Sequence, residues 1–300
     1  MNVLIVGASR GIGLALVTQY LERGAQVFAL VRRSDNEALQ QLSATYGDRL
    51  VLLSGDMTDP ALIPSLKKQL QNTTLDRLIV NAGIYGSDHQ DVMAINTEEI
   101  AELFSTNTVA PLRIVEGLSH CIADGGVVAC MSSQMGSITL DRAADMPLYG
   151  ASKAALNSLL RSWASSHTPL SFSVLALHPG WVQTDMGGHS APLTTTESAK
   201  GLIAVIEQQA GRCPGRLRHV STEIRHTVCS VLCLVPLCTD QRLAVRPGLG
   251  AFELCRQRKQ GVLLTKACRK MRAEWQPILC PVERNGHGRL AGRIEQRREG

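Results

Sequence analysis

Tyr149 and Lys153 stand four residues apart in the run Tyr149-Gly150-Ala151-Ser152-Lys153, so on a helix their side chains share one face. A free phenol titrates near pH 10, too high for ready proton exchange at neutral pH. A Lys ammonium about 4 Å away, at an effective dielectric of about 20, favours the phenolate by roughly 4 kcal/mol, or about three pKa units before desolvation takes some back. That brings Tyr149 towards the working range of a general acid/base. Far upstream lies the glycine-rich turn Gly7-Ala8-Ser9-Arg10-Gly11-Ile12-Gly13. Without a Cβ the backbone can turn sharply there and approach a pyrophosphate, whose charge meets the N–H groups of the following helix. A proton donor and a dinucleotide cradle together point to redox chemistry.

The elements needed to position these residues are legible around them. Val3-Leu4-Ile5-Val6 is an apolar run suited to a buried parallel strand, and after the turn Ile12, Leu16, Val17, Tyr20 and Leu21 recur at helical spacing. Strand, glycine turn and helix in that order give the motif its context. Further strand candidates at 26–31, 50–54, 77–81, 126–131 and 171–177 alternate with helical patterns near 60–71, 97–122 and 148–166, and a last pattern ends near Gln209. Strands separated by helices predict a doubly wound α/β fold of Rossmann type: a parallel sheet with helices on both faces. Three hundred residues with 44% apolar content suffice for one large domain of this kind.

The glycine spacing is G-x-x-x-G-x-G, followed by Asn81-Ala82-Gly83 after the apolar strand Leu78-Ile79-Val80, then Ser133, Tyr149 and Lys153, then Pro179-Gly180. This series resembles the short-chain dehydrogenases/reductases in order and approximate spacing, over residues 1 to about 210. The stretch from Ser132-Ser133-Gln134-Met135-Gly136 to Tyr149 is similar to the C-factor-like branch of carbonyl reductases. The resemblance implies a catalytic set of Ser133, Tyr149, Lys153 and Asn107. Ser133 holds the substrate oxygen, with Ser132 the alternative hydroxyl. Lys153 also holds the nicotinamide ribose, and Asn107 holds a water in a proton relay. Apart from the resemblance, Asn107 reads as a polar contact between packed helices.

For the cofactor, the resemblance implies contacts from the turn residues Gly7, Ser9, Arg10, Gly11, Ile12 and Gly13, and from Asn81, Ala82 and Gly83. Tyr149, Lys153, Pro179, Gly180, Val182 and Thr184 complete the nicotinamide end, with Val182 against the carboxamide. Asp56 is implied as the adenine contact, although an Asp after a strand can equally cap the next helix, as can Asp59 before Pro60. Choice between the two nicotinamide cofactors is read just after the second strand. There Val31 stands where an acid would hold the ribose hydroxyl of NAD, Arg32 follows, and Arg10 adds a second guanidinium able to grip phosphate in bidentate fashion. NADP is therefore expected over NAD; a solvated strand end is the plain alternative for Arg32 and Arg33. The function expected is NADPH-dependent carbonyl reduction or alcohol oxidation of a small molecule, with a dinucleotide-binding signalling protein of low turnover as the rival.

Residues 211–300 break the pattern. Residues 1–210 carry 13 Lys/Arg against 19 Asp/Glu, whereas 211–300 carry 18 against 7, with 15 Arg, no Tyr and seven of the nine Cys. This atypical, poorly ordered tail resembles a GC-rich gene read out of frame, and the family's final strand is expected to be missing or replaced. Cys229, Cys233 and Cys238 match no paired zinc spacing, and His178 and His189 have no partner ligands at suitable spacing, so no metal is expected. The arginines lack aromatic interleaving, which argues against specific nucleic-acid binding. No segment approaches the roughly 18 apolar residues of a membrane span, and the N-terminus does not read as a signal peptide, so a cytoplasmic protein is expected. A homo-oligomer stays open, weakened by the tail.

Overall fold

The apolar runs become the strands of one parallel sheet because they are buried on both faces, where alternation has no use. The computed structural model describes residues 1–33, 36–71, 73–140, 145–211 and 217–221. Its strands are β1 (Asn2–Val6), β2 (Gln26–Val31), β3 (Leu50–Ser54), β4 (Leu75–Val80), β5 (Ile122–Met131), β6 (Ser173–His178) and β7 (Leu217–Ser221). They lie in the order β3-β2-β1-β4-β5-β6-β7 with every neighbouring pair parallel. Chain progress reverses between β1 and β4, the switch point where doubly wound sheets open a crevice.

The helices are α1 (Gly11–Glu22), α2 (Glu37–Tyr46), α3 (Leu62–Leu70), α4 (Thr97–Phe104), α5 (Ala110–Leu118), α6 (Pro147–Ser166) and α7 (Thr195–Gln209). Each face of the sheet has its own core. Leu4 and Val6 of β1 pack in the cluster that includes Ile114 of α5 and Leu156 of α6. Val3 and Ile5 point the other way, into the cluster with Leu16 of α1 and Ile203 of α7. On that second side, buried Arg77 of β4 donates to both carboxylate oxygens of Glu207 on α7, at 3.1 and 2.6 Å. The Tyr20 hydroxyl of α1 donates to the same carboxylate at 3.2 Å. This network closes the charge inside the layer and fixes α7 against its neighbours.

Three departures from the sequence reading are local. The sequence pattern passes over α2, although Leu39, Leu42 and Tyr46 fall at helical spacing and pack on the core; Asn36 starts it by accepting from the Leu39 N–H at 3.0 Å. The helix expected over 97–122 is broken by a π-helical turn at Ser105–Val109, whose extra residue per turn leaves apolar spacing nearly unchanged. At the sheet edge, the family's last strand is replaced and not missing. Leu217–Ser221 pairs with β6 from Val174↔Leu217 to His178↔Ser221, without the usual aromatic residues. The sheet therefore extends past the residue-210 boundary read from composition.

Candidate active site

Gly7 ends β1 with φ +83°, and a Cβ on it would lie 2.7 Å from the Cβ of Ala82. Gly11 has φ +56°, and a Cβ on Gly13 would lie 2.0 Å from the carbonyl oxygen of Gly7. The three glycines thus serve two left-handed backbone turns and one close helix-to-strand approach. Asn81 locks the arrangement by donating from Nδ2 to the Gly7 carbonyl at 2.9 Å. The N-terminus of α1 emerges from this turn with no side-chain cap and no acid in its first turn, leaving its N–H groups for an anion. A cradle that any Cβ would fill, beside an uncapped helix N-terminus, fits a pyrophosphate.

From this turn a cleft of about 870 Å³ runs along the C-terminal ends of the strands. Ser9, Arg10, Ile12, Arg32 and Asp56 line one end, and Gly83, Tyr149 and Lys153 the other. Pro179 and Thr184 line it from the loop after β6, and the Thr184 methyl lies 3.3 Å from where a Cβ of Gly11 would stand. Gly180, with φ +89°, and Val182 are not among the lining residues; Val182 is buried and bridges to Leu193. Arg32 is exposed at the end of β2. Arg10, also exposed, pairs with Asp185, a carboxylate that sequence reasoning did not single out. Asp56 accepts from the Thr58 N–H at 2.8 Å and hydroxyl at 2.7 Å, which hold its carboxyl below the usual range. The local turn role of Asp59 is also present, since it accepts from the Ala61 N–H at 2.8 Å.

At the other end, the strand period of two separates the adjacent serines. Ser132 is buried and donates to Asn157 Oδ1 at 2.7 Å, whereas Ser133 Oγ accepts from the Met135 N–H at 3.1 Å and favours the ionised form of the nearby Tyr149 phenol. Lys153 is buried, with Nζ donating to the Met131 carbonyl at 2.9 Å and lying 5.7 Å from the Tyr149 ring centroid. Asn107 sits in the π-helical turn, fully buried; Nδ2 donates to the Ile84 carbonyl at 2.8 Å and to Ser152 Oγ at 3.1 Å, and Oδ1 accepts from the Ile84 N–H at 2.9 Å. A Cβ on Gly83 would lie 3.2 Å from Asn107 Oδ1 and 3.3 Å from Lys153 Nζ, so that glycine lets the amide and the ammonium converge.

The electrostatics differ from the simple Tyr/Lys expectation. Burial pushes the Tyr149 phenol up to about 12; nearby Tyr85 adds to this, and the bond from Ser133 works against it. Burial pulls Lys153 down to about 8. The lowered phenol expected from an ammonium at about 4 Å is therefore corrected. Lys153 spends its ammonium on a backbone carbonyl, and burial, not the Lys153 charge, governs the Tyr149 phenol. Sequence reasoning also passed over Tyr85, whose ring centroid is 5.2 Å from that of Tyr149, and Gln90, which accepts from the Tyr149 N–H at 2.9 Å. Neither carries a motif; only the folded loop brings them to the site. Cys229, Cys233 and Cys238 lie outside the described residues, among which no helix is long and apolar enough to cross a membrane.

A parallel doubly wound sheet with an anion cradle at its switch point and a proton-bearing phenol beside it defines a dinucleotide-dependent redox protein. The family model for short chain dehydrogenase matches residues 1–193, and the chain belongs to that family. Its chemistry is that of an NAD(P)-dependent oxidoreductase acting on a small molecule. A carbonyl reductase from Pseudomonas aeruginosa PAO1 is 52% identical with a TM-score of 0.71, the match covering 75% of this chain and 98% of that one. The same reductase solved in complex with NADP aligns with a TM-score of 0.70, 52% identity and the same coverage. The C-signal protein of Myxococcus xanthus is 36% identical over 135 residues, 44% of this chain and 81% of that protein.

Proposed function

We propose that this chain is an NADPH-dependent carbonyl reductase in which Tyr149 is the general acid. The observation that carries the reading is Tyr149 itself. It stands within the influence of Ser133, with the Lys153 ammonium 5.7 Å from its ring centroid, and shares with Lys153 the end of a cleft whose other end is the glycine cradle. With its pKa pushed up to about 12, Tyr149 holds its proton throughout the neutral range and has one to give. Ser133, on the same side, orients a substrate oxygen towards that proton. Lys153, with a pKa of about 8, is mostly charged at neutral pH and can return a proton to Tyr149. Asn107 supports this work by fixing Ile84 and Ser152; the water-relay role implied for it stays part of this proposal.

Bound NADPH would supply the hydride. The turn from Gly7 to Gly13 would hold its pyrophosphate, Asp56 its adenine, Lys153 its ribose, and Asn81, Ala82, Gly83, Pro179, Gly180, Val182 and Thr184 would line its path. Preference for NADPH rests on exposed Arg32 beside Val31, where an acid would favour NAD. It is supported by the 52% identical reductase solved with NADP. Arg10 joins Arg32 by exchanging its pairing with Asp185 for phosphate. The likeness to C-signal favours a second reading, a dinucleotide-binding signalling protein with little turnover.

The two readings separate on a panel of neutral aldehydes and ketones, with NADPH oxidation as the readout. Turnover by the native chain is expected, with NADPH preferred to NADH. Tyr149→Phe should keep NADPH affinity within a few-fold and lose at least about 100-fold in kcat, the scale of general-acid catalysis. Tight NADPH binding without turnover on any member would favour the signalling reading, and an active Tyr149→Phe would sink the assigned acid.

A further inference from the structure

We propose that Gln90 is a positioning residue for the proton donor. It acts as the N-terminal cap of α6 in place of a local one and ties the reach of Tyr149 to the loop after β4. The proposal rests on Tyr149 being the general acid. α6 begins at Pro147, so Tyr149 is its third residue, and its N–H is one of those a helix cannot satisfy within itself. The usual acceptor is the side chain of the residue just before the helix, but that of Met146 has no oxygen to offer and makes no cap bond. Gln90 Oε1 accepts from that N–H at 2.9 Å, across 59 residues of sequence.

The loop that carries Gln90 is itself held at its start and within. Asn107 holds both backbone groups of Ile84 at its start, and Gln90 Nε2 reaches the carbonyls of Tyr85 and Ser87 at 3.4 and 3.5 Å. Between those points Tyr85 lays its ring against Tyr149, at 5.2 Å and an interplanar angle of 46°. The opposite side of the Tyr149 peptide is held as well. Ser152 Oγ donates to the Tyr149 carbonyl at 2.7 Å while accepting from Asn107 Nδ2. Gln90 on the N–H, the Asn107–Ser152 pair on the carbonyl and Tyr85 on the ring thus fix the backbone from which the phenol projects. Near-attack geometry depends on such fixing, because a misplacement of about 1 Å can cost about 100-fold in rate.

The test uses the full-length chain and the NADPH-oxidation assay, with Gln90→Leu and Gln90→Glu beside Tyr149→Phe. Gln90→Leu removes the acceptor at similar volume and should lower kcat by about ten-fold or more, with KM for NADPH within two-fold. Gln90→Glu keeps an acceptor and should recover most of that kcat. Its carboxylate, placed at the Tyr149 N–H, should also move the alkaline limb of the kcat profile to higher pH, since an added negative charge disfavours phenolate. If Tyr149→Phe is inactive while both Gln90 variants show native kcat and native pH limbs, the positioning role is overturned. If Gln90→Leu does not fold, Gln90→Glu decides alone through its pH limb. An active Tyr149→Phe removes the acid assignment on which the proposal stands.

Discussion

Buried Lys153 has a consequence that reaches beyond chemistry, because it titrates differently in the folded and unfolded chain. Its folded pKa of about 8 lies below the ordinary 10.5, so between those values the unfolded chain binds more protons. Stability from this residue is therefore lowest below pH 8 and rises as pH climbs towards 10.5, by about 3 kcal/mol in all. Tyr149, raised from 10.0 to about 12, has the opposite sign, and its contribution is lost only above pH 10. Lys153→Met should accordingly be inactive, and its melting temperature relative to the native chain should be more favourable at pH 7 than at pH 10. A difference that does not change between those two pH values would mean that Lys153 is not desolvated as described. The sequence makes the Tyr/Lys pair legible, since four-residue spacing needs nothing but a helix. The direction of their titration was not legible, because burial and the Met131 carbonyl come from other elements. The bond from Ser132 to Asn157 of α6 was likewise not legible, since the sequence favoured Ser133 over Ser132 by spacing alone.

Elements with strong apolar runs were the ones the sequence announced: β1, β2, β3 and the glycine turn stand where their patterns lie. What escaped was structure held by polar groups. α2 is started by the Asn36 cap, and the π-helical turn around Asn107 is invisible to periodicity. The glycine turn is also where an element-scale change is easiest to forecast. A Cβ on Gly13 would sit 2.0 Å from the Gly7 carbonyl and 2.8 Å from Asn81 Nδ2, so α1 must move away from β1. Gly13→Ala should cost about 1–3 kcal/mol or more, the usual penalty of overpacking, and lower the melting temperature by about 5 °C. NADPH affinity should fall with it, because the shift opens the cradle. Calorimetry and cofactor titration on one variant check both, and unchanged affinity would show that α1 does not position the pyrophosphate.

At the scale of the whole molecule, three-quarters of this chain accounts for 98% of the Pseudomonas reductase, so the family's fold closes well before residue 300. The sequence shows the change of character by its charge, from a net acidic 1–210 to a strongly basic 211–300. It did not show that Leu217–Ser221 still completes the sheet, because a five-residue strand with one Arg and one His has no apolar run to mark it. We propose that the basic stretch that begins at 211 is an out-of-frame segment not needed for activity beyond Leu217–Ser221. A chain ending at Arg225 should then keep turnover per molecule and a melting temperature within about 2 °C of the full chain, less than a 1 kcal/mol change moves it. A chain ending at Gly211 removes β7 and leaves the backbone groups of β6 unpaired along the sheet edge, an invitation to association between chains. It should be less soluble, melt lower and elute as aggregate. Loss of activity at Arg225 would make the basic segment part of the enzyme. Two chains equal in solubility and melting would show that β7 contributes nothing to the edge it occupies.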